Sequence, residues 1–177
     1  MKHPGVIAAV AVMLAGATMA EADKPKSACS GPQSRAFDFW IGRWEVSEAG
    51  KPAGVNQIER ILDGCALLEN WSGVSGSSGK SLNFYDAADG LWHQTWIDGS
   101  GGALFLAGTF SKGAMRMEGV RPASAGQPAM RHRITWTPNA DGTVRQLWES
   151  APEGVGQWKV LFDGTYRRVD LPSSARE

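Results

Sequence analysis

The chain reads as an all-β protein, a single antiparallel up-and-down β-barrel of about ten strands. Three observations predict it. Hydrophobic runs are short and repeatedly broken by turn residues. Asp-Gly occurs at Asp63-Gly64, Asp89-Gly90, Asp98-Gly99, Asp141-Gly142 and Asp163-Gly164, and that dipeptide supplies the positive φ angles of a tight hairpin turn. No stretch beyond the first few dozen residues sustains a helical period. Consecutive strands joined by tight turns make a meander, and closing it removes the unpaired edges. A two-sheet sandwich is the competing architecture for the same pattern.

The first element is not part of the barrel. Met1-Lys2-His3-Pro4 is followed by an apolar stretch from Val6 to Ala17 and then by Ala20-Glu21-Ala22, an A-x-A site. This is the pattern of a secretory signal peptide over residues 1–22. The apolar run falls short of the roughly 20 residues that a spanning helix needs, so no stable membrane anchor is expected. Lys2 and Glu21 leave together, and the balance of 18 basic and 18 acidic residues in the full chain survives cleavage. A balanced chain argues against nucleic acid, which demands a basic face, and against adhesion to anionic membranes.

Residues 23–35, with Pro25 and Gly31-Pro32, read as a polar leader. Ala36 to Ile41 has room for one short helical turn. Strands are then expected near 42–48, 54–62, 65–72, 79–86, 91–98, 103–110, 113–119, 130–138, 143–150 and 157–168. The barrel thus spans 36–169, and 170–177 is a C-terminal tail. Ser75-Gly76-Ser77-Ser78-Gly79 and Ser111-Lys112-Gly113 are further turns, the first a candidate loop over the barrel mouth.

Two cysteines, Cys29 in the leader and Cys65 at a strand start, form an even pair. In an oxidising compartment they are expected to bridge, stapling leader to barrel for roughly 3–4 kcal/mol in the chain-entropy model. Two unpaired thiols are the alternative. With so few Cys and no clustered His, no metal site is expected.

The segment Phe37-Asp38-Phe39-Trp40-Ile41-Gly42-Arg43-Trp44 carries a family resemblance. Gly42-x-Trp44 resembles the G-x-W motif of lipocalins and their calycin relatives. That resemblance implies that Trp44 closes the barrel floor and that an arginine of the last strand packs across its indole, a role either Arg167 or Arg168 fits. The longer pattern is similar to a bacterial family of exported lipocalin-like proteins without an assigned activity. It comprises Gly64-Cys65, Glu69-x-Trp71, Ser81-x-Asn83-x-Tyr85, Gln94-x-Trp96 and Arg145-Gln146-x-Trp148-Glu149 in that order. It covers roughly residues 36–168 and implies a fold more than a chemistry.

Alternate residues of a strand share a face, and an aromatic beside an amide or acid on one face is pocket chemistry. Glu69, Trp71, Asn83, Tyr85, Gln94, Trp96, Gln146 and Trp148 are therefore the candidate lumen and ligand-binding residues; ordinary barrel packing is the plainer reading. Trp92 and Asp98 share the face of Gln94 and Trp96. Glu69 is the sharpest candidate: unpaired among tryptophans it is a general base, and paired with Arg60, Arg133 or Arg145 it is a structural or ligand-orienting anchor. His93 and His132 each fit a solvated or packed role, or a single axial haem ligand. Asn70-Trp71-Ser72 matches a glycosylation sequon.

No G-x-S-x-G elbow, P-loop or dinucleotide fingerprint appears, and no catalytic constellation or cofactor is expected. The functional expectation is an exported binding protein, periplasmic or secreted, for a small apolar or amphipathic ligand. An envelope interaction module with exposed tryptophans and a small barrel enzyme using Glu69 are the alternatives. Oligomeric state is not legible.

Overall fold

A computed structural model describes residues 28–124 and 126–169. Residues 1–22, where a signal peptide is expected, residues 23–27 of the expected leader and the expected tail 170–177 lie outside the described residues. Ten strands form one closed antiparallel barrel in simple up-and-down order: β1 (Gly42–Glu48), β2 (Lys51–Ile61), β3 (Ala66–Gly73), β4 (Ser78–Asp86), β5 (Leu91–Asp98), β6 (Ala103–Ser111), β7 (Ala114–Arg121), β8 (Met130–Pro138), β9 (Val144–Pro152) and β10 (Lys159–Arg168). Each strand pairs with its chain neighbours, and β1 with β10 closes the ring. Strand existence and order follow the sequence expectation, and the sandwich alternative falls.

The turns show why the hairpins form where they do. Lys112 and Gly113 both have φ > 0, at 51° and 79°, the requirement of a two-residue hairpin turn between β6 and β7. Ala49 and Gly50 do the same between β1 and β2, a turn without an Asp-Gly signal. One expected turn is absent: Asp163-Gly164 lies in the middle of β10. There Gly164 leaves room for the ring of Phe162, and a Cβ would overlap it.

The two ends of the barrel differ. At one end lie the start of β1 and the end of β10, and the segment before β1 folds across it in two short 3₁₀ turns, Gln33–Arg35 and Asp38–Trp40. Phe37 and Trp40 are wholly buried and form an aromatic floor with Trp44, Trp92 and Trp136. Phe37 stacks on Trp40 at 4.9 Å and meets Trp136 edge-on at 5.1 Å between ring centroids. Each such pair adds about 0.5–1.5 kcal/mol beyond its burial. The described part of the leader is fastened, not loose: Cys29 bridges Cys65, and the Trp92 indole N–H donates to Gln33 O at 2.9 Å.

The implied Trp44 arrangement is present, with one of its two alternatives chosen. Trp44 Nε1 donates to Trp40 O at 2.9 Å, and Arg168 Cζ stands 4.3 Å from the Trp44 ring centroid. Arg168 Nη1 also donates to Ile41 O at 2.7 Å. Arg167 does not share this role, because side chains alternate along β10 and its neighbours Tyr166 and Arg168 take the Trp44 side.

Candidate functional site

Above the aromatic floor the barrel is hollow. A cavity of about 740 Å³ occupies its other half and opens between the β1–β2 turn and the β3–β4 turn. That volume lies within the usual range for small-molecule sites, roughly 300–1,000 Å³. The Ser75-containing segment indeed stands at the mouth, with Val74, Ser75 and Ser77 lining it. It is a short closed turn, Gly73 N donating to Ser77 O at 2.7 Å.

Trp71, Trp96, Trp148, Leu161 and Phe162 make the cavity wall. Glycines set the ring positions. A Cβ on Gly54 would overlap the outer edge of the Trp71 indole, one on Gly79 the Trp96 indole, and one on Gly164 the Phe162 ring. Gly54 and Gly79 are each two residues along from the cross-strand partner of the tryptophan they carry, Asn56 and Ser81 respectively. Diagonal neighbours at that distance are within reach of a large ring. Trp148 is anchored differently: its Nε1 donates to His132 Nδ1 at 3.1 Å.

Between wall and floor runs a belt of hydrogen-bonded polar groups. Glu69 Oε1 accepts from Asn56 Nδ2 at 2.7 Å and Glu69 Oε2 from Ser81 Oγ at 2.6 Å. Asn83 Nδ2 donates to Ser81 Oγ at 2.8 Å, and Gln94 Nε2 to Asn83 Oδ1 at 2.9 Å. On the other side Tyr166 donates its hydroxyl proton to Gln146 Oε1. Asn56 Oδ1 is buried without a partner among the described residues.

Glu69 is the electrostatic centre of this belt. It is 5 % exposed, and no Lys, Arg or His among the described residues pairs with it. Burial raises its pKa to about 7, and the hydrogen bonds from Ser81 and Asn56 only partly offset that. Tyr166 is likewise pushed well above the ordinary phenol value, by burial first and then by the nearby Glu69 charge.

The expected cationic partners of Glu69 are all elsewhere. Arg60 pairs with Asp38 at 2.5 Å, Arg133 with Glu149 at 2.7 Å and Arg145 with Asp163 at 2.7 Å. Strand parity explains two of these: with Gln146 and Trp148 facing in, Arg145 faces out, and Arg133 alternates with the buried His132 and Ile134. Arg60 lies near the floor end of β2, too far along the strand from the belt.

All eight candidate lumen residues face inward, at three depths. Trp71, Trp96 and Trp148 are wall, while Glu69, Gln94 and Gln146 border the base of the cavity. Asn83 is fully buried beneath it, within the belt, and Tyr85 packs on the floor against Trp92. The expectation had no place for Asn56, Ser81, Phe162 and Tyr166 in the site. Asn56 shares the inward parity of Ile58, which is the signal that marks it.

Of the histidines, His93 is outside, 2.9 Å from Asp89 and stacked on Phe84. Its cluster with Asp86 and Asp89 lies on the outer surface, and one oxygen of each carboxylate already accepts a backbone N–H. His132 is inside, with Nε2 buried and unpartnered among the described residues; burial, and then Arg121, lowers its pKa. Asn70 of the sequon lies on the outer face beside Lys80. Comparison of the chain with protein-family models and with curated proteins gives no match.

Proposed function

We propose that this chain is an exported binding protein that holds a small apolar or amphipathic molecule in the upper half of its barrel. One observation carries the reading: a ready-made cavity of about 740 Å³ has tryptophan walls and a hydrogen-bonding base. Apolar walls supply affinity and a few fixed polar groups supply orientation. Because the rings rest on glycine backbone and on His132, little ordering cost attends binding. Export is part of the proposal. It is supported by the N-terminal signal pattern and the Cys29–Cys65 bridge, and no helix among the described residues is long and apolar enough to cross a membrane.

Native mass spectrometry of protein from its own exported fraction, followed by denaturing extraction, tests this. A stoichiometric small molecule released on unfolding is the expected result. A bare polypeptide that also takes up no apolar compound in titration overturns it.

The tryptophan-surface alternative loses its motivation, since none of the eight tryptophans is exposed. Even Trp158, on the outer side, is covered by Arg131 and Arg133 at 4.9 and 4.1 Å. The proton-transfer alternative keeps one supporting observation, the cation-free Glu69 with a pKa of about 7 at the cavity base. Turnover of the extracted compound that survives Glu69→Gln unchanged removes that alternative.

A further inference from the structure

Resting on the binding reading above, we infer that the lumen is built for an organic cation: a protonated amine on an apolar body, its nitrogen directed to Glu69 and its body between the tryptophans. The charge inventory is the first argument. Of the residues lining the cavity, Glu48 and Lys51 stand at the mouth, and Glu69 is the one charged group at the base. The arginines within sequence reach are engaged on the outer face. A buried carboxylate satisfied only by neutral donors is a strong site for an incoming positive charge and a poor one for a second anion.

The hydrogen-bond inventory points the same way. Each Glu69 oxygen accepts one bond, and a carboxylate has about four lone-pair sites, so capacity remains on both. Asn56 turns its amide N–H toward Glu69, which leaves Asn56 Oδ1 as an additional buried acceptor beside the carboxylate. Tyr166 spends its proton on Gln146, so its hydroxyl offers no second donor. The carboxylate at the base of the cavity therefore keeps unused acceptor capacity that matches the donors of an ammonium, while the buried Trp136 Nε1 and the Gln146 amide nitrogen are donors left over for a second polar group of the ligand.

The walls complete the match. Trp71, Trp96 and Trp148 line the space above Glu69, and indole faces attract cations more strongly than other aromatic side chains do. A fatty acid would bring its charge onto Glu69, and a neutral hydrocarbon would leave the acceptors unfilled.

The test uses the disulfide-intact protein and three probes of one shape, 2-(2-naphthyl)ethylamine, 2-(2-naphthyl)ethanol and 3-(2-naphthyl)propionate, titrated calorimetrically near pH 8. The amine is expected to bind at least about tenfold tighter than the alcohol, with the carboxylate weakest. Glu69→Gln is expected to remove most of that preference while leaving alcohol affinity within about twofold. Equal affinities of amine and alcohol, or a carboxylate that binds tightest, overturn the amine assignment and leave the lumen reading standing. Binding of none of the three overturns both.

A second measurement covers a variant that fails to fold. Wild-type titrations below pH 7 in two buffers of different ionisation enthalpy should show proton release on amine binding and none on alcohol binding. The groups facing Glu69 are Asn56 from β2, Ser81 from β4 and Tyr166 from β10, of which only Tyr166 titrates, and it stays neutral there. Amine binding without proton release overturns the contact with Glu69.

Discussion

Arg168 lies across the Trp44 indole because Gly42 has no side chain. The guanidinium carbon is 4.3 Å from the ring centroid, and a Cβ on Gly42 would overlap Arg168 Nη1. Gly42 also has φ of 142°, a backbone conformation that L side chains rarely adopt. The glycine and the tryptophan of the G-x-W motif are thus one device: the first admits the cation that the second binds. The device also fastens the last strand to the segment before the first, through Arg168 Nη1 and Ile41 O.

Gly42→Ala should therefore destabilise the protein by about 1–3 kcal/mol, through backbone strain and displacement of Arg168. Urea denaturation measures it. In an Arg168→Ala background the same substitution should cost less, because only the backbone part remains. An unchanged midpoint for Gly42→Ala, or a cost identical in both backgrounds, contradicts the arrangement.

The bridge between Cys29 and Cys65 spans a sequence separation of 36 and holds the chain that carries Phe37 and Trp40 into the floor. Closing a loop of that size stabilises by about 4 kcal/mol in the chain-entropy model. The paired Cys29→Ser, Cys65→Ser variant should keep its strand signature in far-UV circular dichroism but unfold at clearly lower urea. Its near-UV signal, which reports the floor aromatics, should weaken first. Coincident denaturation curves for variant and wild type would leave the bridge without that role.

Much of this architecture was legible in the sequence because strand parity is a local property. Glu69 with Trp71, Gln94 with Trp96 and Gln146 with Trp148 share faces by counting alone, and the barrel folds all three pairs inward. Depth was not legible, since parity says nothing of height along the barrel. Hence Tyr85 sits on the floor while Trp71, of the same inward set, stands in the wall. Charge pairing failed for a related reason. Composition alone offers Arg133 and Arg145 as partners for Glu69, yet the parity that turns Gln146 inward turns Arg145 outward. The arginine of the floor needed a register: which of two adjacent residues meets Trp44 depends on the β1–β10 pairing, where Trp44 lies opposite Arg168.

The glycines under the wall rings give a test that does not touch a lining side chain. Gly79→Ala places a methyl where the Trp96 indole now lies, so the ring must move into the cavity or out of the barrel. Affinity for 2-(2-naphthyl)ethanol should fall about tenfold, with a changed near-UV spectrum and a smaller effect on urea stability. Unaltered affinity together with an unaltered spectrum would mean that the ring is not held by this glycine.

Glu69 makes stability depend on pH in a direction opposite to that of most carboxylates. Its pKa is raised from 4.5 to about 7, so between those values the folded state holds a proton that the unfolded state has released. Stability from this group is fully present below about pH 4.5 and is lost as pH rises through 7, a change on the order of 3 kcal/mol. Other groups titrate in or beside this window with the opposite sign. His132, held below its ordinary value mainly by burial, destabilises the fold as pH falls through the ordinary histidine range. Asp98 and Asp163, held low by hydrogen bonds from Ser100 and Arg145, lose their contributions only below the ordinary aspartate range. The wild-type curve alone is therefore a mixture, and the difference between wild type and Glu69→Gln isolates the one group. The substituted amide can still accept from Asn56 and donate to Ser81, so the belt keeps its geometry. The variant should match or slightly trail wild type at about pH 4.5 and exceed it at about pH 8, with the crossover between. A difference that stays flat across that range would mean that Glu69 ionises in the fold as freely as in water, and that the belt is wet.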